Sequence, residues 1–398
     1  MERQTFKIRT MNKISTKGLE LFPRDGYEVA SDIPNPDAIL VRSADLHGVE
    51  LPSSVKAIAR AGAGYNNIPV DECNKRGVVV FNTPGGNANA VKELTIASLL
   101  LASRRIVAGI NWALTLKDKA DETPDLVEKG KSRFEGPELK GKTLGVVGLG
   151  AIGVTVANDA INLGMSVIGY DPYILVEAAW NLSRAVKRED TLEGLLAKAD
   201  YVTLHLPLVD ATKGLLDKEK FRIMKKGARL VNLARGGLVN EADLIEALNT
   251  GKLSAYATDF VSAELLACPT ALCIPHLGAS TPEAEDNCAI MAVQQTMDYL
   301  EEGVIANSVN FPKCRLERHT HSPNRLVVIN RNVPNMVGQI TTLLASAGVN
   351  ISDMVNHHRY DNAYNIIDTE QKIPADIAER IKNINGVVSV RLIENGED

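Results

Sequence analysis

The chain has 398 residues, 45% of them hydrophobic and 23% charged, with a formal net charge of −5. That length exceeds one ordinary hydrophobic core and predicts about two or three domains. The acidic balance argues against a nucleic-acid surface, which needs a basic patch. The longest apolar run, near "LTIASLLLA", stops at Arg104-Arg105 and is too short to span a bilayer.

The N-terminal "MERQTFKIRTMN" lacks the apolar core of a signal peptide. Five cysteines, at 73, 268, 273, 288 and 314, are odd in number and form no metal-ligand spacing. A reduced, cytoplasmic chain with no metal is the simplest expectation.

In chain order, apolar runs predict strands over 6–11, 38–43, 55–62 and 78–84, with a helix over 70–77. A long helical segment follows at 88–116. Strands are then expected over 143–149, 166–171, 201–207, 228–234, 254–260 and 272–276. Helical patterns at 153–164 and 241–251 alternate with them. That alternation predicts an α/β fold with a Rossmann-type, doubly wound parallel sheet. Residues 280–303 read as a long helix, opened by a capping-box spacing from Ser280 to Glu283. The polar 306–324 stretch holds two prolines and reads as a linker. The last segment runs strand, helix, two strands around "YDNA", helix, strand, a ferredoxin-like βαββαβ order.

"VVGLGAIG" sets Gly148, Gly150 and Gly153 in the G-x-G-x-x-G spacing, after a predicted strand and before a predicted helix. In that context Gly148 allows a tight turn and Gly150 lets the backbone approach a pyrophosphate. Gly153 permits close helix–strand packing. The phosphates would sit at the helix N-terminus. The next strand ends at Asp171, where an acid hydrogen-bonds ribose hydroxyls and repels a 2′-phosphate, favouring NAD over NADP. "YDP" is also a good turn sequence.

Three more features fall at strand ends: Arg235 in "VNLARGGLVN", the segment carrying Asp259 and Glu264, and His276 in "PHLGAS". A hydride-transferring site for a hydroxy acid needs a planar cation for the carboxylate. It also needs a proton acceptor working near neutral pH and a carboxylate to orient it. Each residue has a plainer alternative: a solvated strand-exit arginine, a surface glutamate, and a histidine that satisfies a backbone carbonyl. Their conjunction downstream of the glycine loop favours catalysis.

"GKTLGVVGLGAIG", "VNLARGGLVN" and "PHLGAST" resemble the D-isomer-specific 2-hydroxyacid dehydrogenases. "AILVRSADL", "IARAGAGYNNI", "FNTPGGNANAVKEL" and the C-terminal unit look like the branch of that family that oxidises a small phosphorylated hydroxy acid and carries a terminal ACT domain. The resemblance implies catalytic Arg235, Glu264 and His276, with Glu264 steadying the imidazolium. It implies Asp259 facing the nicotinamide carboxamide. Thr83, Ala151, Ile152, His205, Pro207, Thr212, Ala234 and Gly278 would lie near the cofactor. Arg42, Ser43 and Asn87 would approach substrate. Arg60, and Arg133 from a neighbouring subunit, would hold its phosphate.

The resemblance also implies the domain plan. Residues 1–88 and 278–310 would form a flavodoxin-like, discontinuous substrate domain, and 89–277 the NAD domain. A linker over 311–323 would lead to an ACT domain at 324–398. A homodimer or homotetramer is expected, with Asn330, Asn332 and Asn350 as candidate contacts for an amino-acid effector such as L-serine. A purely dimerising ACT unit is the alternative. Family members often carry Glu-Glu-Pro where this chain has Glu264-Leu265-Leu266, and the loop from Glu264 to His276 is short. Rival activities are oxidation of glycerate or 2-hydroxyglutarate, and a catalytically silent protein that senses NAD.

Overall fold

The computed structural model describes residues 5–318 and 322–394. The chain divides into two compact units, Met1–Asn87 with Pro282–Asp398, and Ala88–Thr281.

The first unit begins with five parallel strands, β1 (Phe6–Met11), β2 (Tyr27–Ala30), β3 (Ala38–Val41), β4 (Ala57–Arg60) and β5 (Val79–Phe81). Their spatial order, β2-β1-β3-β4-β5, is the flavodoxin-like arrangement. All four residues of β3 are buried, as a strand covered on both faces requires. The helix Pro282–Glu302 covers one face, where Ala289, Ala292, Val293 and Tyr299 meet Ile8, Leu40 and Phe81. This helix begins at Pro282, so Thr281 immediately precedes it and not the expected Ser280.

The second unit holds β6 (Thr143–Val147), β7 (Ser166–Tyr170), β8 (Lys187–Arg188), β9 (Tyr201–Leu204), β10 (Ala228–Asn232), β11 (Leu253–Thr258) and β12 (Ala271–Cys273). The order β12-β11-β10-β9-β6-β7-β8 reverses direction between β6 and β9, the doubly wound switch point. Side-chain caps start its helices locally: Thr191 accepts from the Gly194 amide, Asp217 from Lys220 and Asn240 from Asp243. The expected 88–116 helix is two helices, Ala88–Ser103 and Ile106–Leu114, because Arg105 leaves helical geometry at ψ 47°.

The C-terminal segment forms β13 (Asn324–Arg331), β14 (Ile351–Arg359), β15 (Asn362–Thr369) and β16 (Val387–Glu394), antiparallel in the order β14-β15-β13-β16. With helices Met336–Ser346 and Ala375–Lys382 this is the ferredoxin-like order. Those helices cover one face through Ile340, Leu344, Ile377 and Ile381. The other face carries Val327, Ile329, Tyr364 and Ile366 into the core that also contains Phe81, Tyr299 and Phe311.

Two expected features contain buried residues. Within the expected 311–323 linker, Phe311 and Cys314 are buried, and Cys314 exchanges backbone hydrogen bonds with Ile305 at 2.8 and 2.9 Å. The polar composition hid two core anchors; residues 319–321 lie outside the described residues. Asn330, an expected effector contact, is enclosed in the sheet. It is 1% exposed, accepts from Asn365 Nδ2 at 2.7 Å and donates to the Arg331 carbonyl at 2.6 Å. Asn356 donates in turn to Asn365 Oδ1 at 2.6 Å, so the three amides form a cross-strand ladder. Asn332 and Asn350 are exposed.

Arg325 and Asp368 pair through two parallel hydrogen bonds, each 2.7 Å, with both side chains buried. Arg325 also donates to the Glu302 carbonyl at 3.1 Å, closing the end of the long helix. Asp368→Ala leaves the arginine charge buried and should cost about 3–5 kcal/mol, the scale for breaking a buried pair. Urea unfolding at neutral pH would measure it.

Candidate active site

All seven strands of the second unit point the same way, so their C-terminal ends collect on one edge. Directly after β6 comes Gly148, at φ +93°, where a Cβ would lie 2.5 Å from the His205 carbonyl oxygen. A Cβ at Gly153 would lie 1.9 Å from the Gly148 carbonyl oxygen, whereas nothing lies within 4 Å of one at Gly150. Gly148 and Gly153 are therefore required by the protein's own packing, and Gly150 faces open space. The helix Ala151–Asn162 starts its hydrogen-bond ladder at Val154 N to Gly150 O, 3.1 Å, leaving the amides of Ala151, Ile152 and Gly153 ahead of it. That loop is shaped for an anion approaching the backbone.

Asp171 follows β7. Its Oδ2 accepts from the Leu149 amide and its Oδ1 from the Tyr173 amide, both at 2.8 Å. The acid thus braces the glycine loop, a role the sequence did not suggest, and each oxygen keeps a further lone pair. His205 follows β9, and its Nε2 lies 3.1 Å from Thr203 Oγ1. Burial lowers its pKa to about 4, so the ring is neutral at pH 7. Beyond it, Thr212 Oγ1 donates to the Pro207 carbonyl at 2.6 Å and accepts from the Val209 amide at 2.9 Å, fastening the loop.

After β10 the chain turns on Asn232, which is fully buried. Its Oδ1 accepts from the amides of Ala234 and Arg235 at 3.2 and 3.3 Å, and its Nδ2 donates to the Arg235 carbonyl at 2.9 Å. This asparagine, unremarked in the sequence, fixes where Arg235 emerges. The Arg235 side chain is exposed and makes no ion pair among the described residues; its Nη1 donates to the Ala234 carbonyl at 2.6 Å.

Asp259, immediately after β11, is 4% exposed. Its Oδ2 accepts from the Gly278 amide at 3.3 Å, while its buried Oδ1 has no hydrogen-bond partner among the described residues. Burial raises its pKa, and the charges of His276 and Arg235 pull it back. His276 lies three residues beyond β12 at φ +41°, in the left-handed region that a non-glycine residue seldom adopts. Its exposed ring stands edge-on to Phe260 at 5.1 Å between centroids.

No hydrogen bond or ion pair joins Glu264 to His276 among the described residues. Glu264 sits on the one-turn helix Ala263–Leu266, capped by Ser262, and is exposed with no side-chain hydrogen bond or ion pair among the described residues. The short loop lets Leu265 fill the core and turns the acid outward.

In the other unit, Arg42 pairs with Glu285 at 2.6 Å. Arg60 donates to the carbonyls of Arg42 and Gly64 at 2.9 and 2.6 Å. Ser43 is exposed. Thr83 is fully buried beside Cys288, and Asn87 Oδ1 is a buried atom with no hydrogen-bond partner among the described residues. Arg133, in the second unit, lies over the Trp112 ring at 4.8 Å.

Residues 96–278 match the D-isomer specific 2-hydroxyacid dehydrogenase, NAD binding domain. The D-3-phosphoglycerate dehydrogenase of Bacillus subtilis is 35% identical over 325 residues, 77% of this chain and 59% of that protein. That of Methanocaldococcus jannaschii is 37% identical over 300 residues, 73% of this chain and 55% of that protein. The chain thus spans less than two thirds of these curated relatives. Among solved structures, NAD+-bound 3-phosphoglycerate dehydrogenase from Entamoeba histolytica superposes with a TM-score of 0.61 at 28% identity, covering 77% of this chain and 99% of that one. Apo D-mandelate dehydrogenase from Rhodotorula graminis gives 0.64 at 25%, covering 77% and 97%.

The glycine geometry separates two substitutions. Gly150→Ala should leave the melting temperature unchanged and weaken NAD binding. Gly153→Ala should lower both, because its Cβ collides with the Gly148 carbonyl. Thermal melts beside calorimetric NAD titrations would check this.

Proposed function

We propose that the chain is an NAD-dependent dehydrogenase that oxidises D-3-phosphoglycerate to 3-phosphohydroxypyruvate, the entry reaction of serine synthesis. One observation carries the reading. The C-terminal edge of the second unit brings together an unpaired Arg235, a strained His276 and a buried Asp259 whose Oδ1 has no partner. An orphaned buried acceptor is costly unless a ligand satisfies it. A nicotinamide carboxamide N–H fits that acceptor, and a pyrophosphate fits the open side of Gly150. The NAD-binding-domain match and the phosphoglycerate dehydrogenase relatives support the same assignment.

NAD, when bound, supplies the acceptor for the hydride lost from C2 of the substrate. Arg235 offers a planar, two-pronged grip for the carboxylate and for charge on the adjoining oxygen. His276 accepts the hydroxyl proton. Asp171 favours a free ribose over a 2′-phosphate. In the other unit Arg60 and Arg42 are cations for the phosphate. The helix Ile106–Leu114 buries none of its own residues, which supports self-association through that face.

His276→Ala should lower kcat by about 10²–10⁴, the usual contribution of general acid–base catalysis. Arg235→Lys keeps charge but loses the fork, so KM should rise and kcat fall. Absorbance at 340 nm with NAD and D-3-phosphoglycerate, glycerate or 2-hydroxyglutarate reads both. Faster turnover of an unphosphorylated acid would reassign the substrate, and NAD binding without turnover of any would leave a sensing protein.

A further inference from the structure

We propose that Asn67, with Asn12 as a second anchor, positions the Arg42–Ala44 turn and thereby sets Arg42 and Arg60 together for the anionic group of the substrate. This rests on the phosphate role proposed for those two arginines, and it names what holds them in place.

The two cations come from adjacent strand ends. β3 ends at Val41 and β4 at Arg60, and these two residues lie opposite each other in the parallel register. One more bond continues the pairing, from the Ala61 amide to the Val41 carbonyl at 2.8 Å. Beyond it, residues 42–44 leave the sheet. A turn outside the sheet has no ladder to fix it, so its carbonyls and amides need other partners.

Asparagine side chains supply them. Asn67 Nδ2 donates to the Ala44 carbonyl at 2.7 Å and, more weakly, to the Arg42 carbonyl at 3.4 Å. The Asn67 carbonyl accepts from the Leu46 amide at 2.9 Å, so side chain and backbone grip the same segment. From the other side Asn12 Oδ1 accepts from the Ala44 amide. Asn12 sits at φ +69°, a left-handed conformation that asparagine adopts more readily than most residues. Arg60 Nε donates to the same Arg42 carbonyl at 2.9 Å. The backbone that Asn67 holds is therefore the one against which Arg60 rests.

The Asn67 amide has one workable orientation. Turned over, its Oδ1 would face two carbonyl oxygens, and none of the three is a donor. As placed, Oδ1 is buried with no hydrogen-bond partner among the described residues. A buried acceptor left unmet is unfavourable, so the donations to the turn must outweigh it. Glu285 engages the Arg42 guanidinium through Nη2 at 2.6 Å, while Asn67 fixes the backbone that carries it. Burial raises the Cys288 thiol pKa, and the Thr83 hydroxyl, Arg60 and Arg42 each oppose that rise, so both cations act on one buried point. Asn67 is thus a positioning residue, acting through the two arginines.

Steady-state rates with NAD and D-3-phosphoglycerate test this. Asn67→Ala should raise the KM for D-3-phosphoglycerate about tenfold, the scale for losing a partner behind a ligating group. The kcat at saturation and the KM for NAD should stay as in the unaltered protein, because the groups proposed for proton and hydride transfer lie in the other unit. Asn12→Gly keeps the left-handed backbone and removes only the acceptor for the Ala44 amide, so it should raise the same KM by a smaller factor. An unchanged KM in folded Asn67→Ala overturns the proposal, and so does a fall in kcat with no rise in KM, the mark of general loosening. If Asn67→Ala does not fold, the KM of Asn12→Gly decides in the same way. Failure of the unaltered protein to turn over D-3-phosphoglycerate refutes the substrate reading itself, and is told apart because it precedes any substitution.

Discussion

The contact on which the second unit's ligand edge depends is the backbone of Gly153 lying against the carbonyl of Gly148, where a Cβ would come within 1.9 Å. It seats the helix Ala151–Asn162 directly behind the end of β6 and aims its free amides out over the sheet edge. Asp171 then fastens the loop from β7 through the Leu149 amide, and the His205 carbonyl closes it from β9. Three neighbouring strand ends are thereby tied into one loop, braced by the Asp171 carboxylate. An anion there would be held by backbone dipoles, which need no reorganisation when it arrives.

The other half of the edge is arranged by unsatisfied polarity. A buried carboxylate oxygen with no donor is an expense that folding alone would not select. Among the described residues Asp259 carries such an oxygen, and burial raises its pKa against the smaller opposing pull of His276 and Arg235. His276 adds backbone strain at φ +41°.

Much of this was legible in the chain because parallel strands buried on both faces read as unbroken apolar runs. "AILV", "YVTL" and "TLGVV" each became a strand that starts where expected and ends two or three residues early. The glycine spacing was legible because each glycine answers a separate steric demand. What escaped was whatever depends on partners distant in sequence. "YEVA" became β2 only by pairing alongside β1, and its alternating residues gave no long apolar run. Phe311 and Cys314 were hidden in a polar stretch because two anchors suffice to pin a segment into a core. Asn232 stood inside a motif already singled out, but its placing of Arg235 rests on bonds that spacing does not encode.

The C-terminal unit shows the same limit from the other side. By motif position Asn330 matches an effector contact; by packing it belongs to an amide ladder with Asn365 and Asn356. Opening it to a ligand would leave the Asn365 amide short of an acceptor inside the sheet, a cost that a weakly binding amino acid would have to overcome before gaining any contact. Meanwhile the face bearing Val327 and Tyr364 is sealed against Phe311 and Tyr299, and the Tyr364 hydroxyl donates to the Gly303 carbonyl at 2.6 Å. Arg325 closes the same helix end at Glu302. The ferredoxin-like sheet is therefore built into the core that supports the helix Pro282–Glu302, whose first turns carry Glu285 to Arg42. The sheet therefore meets that helix through buried contacts at its C-terminal end, at the opposite end from Glu285.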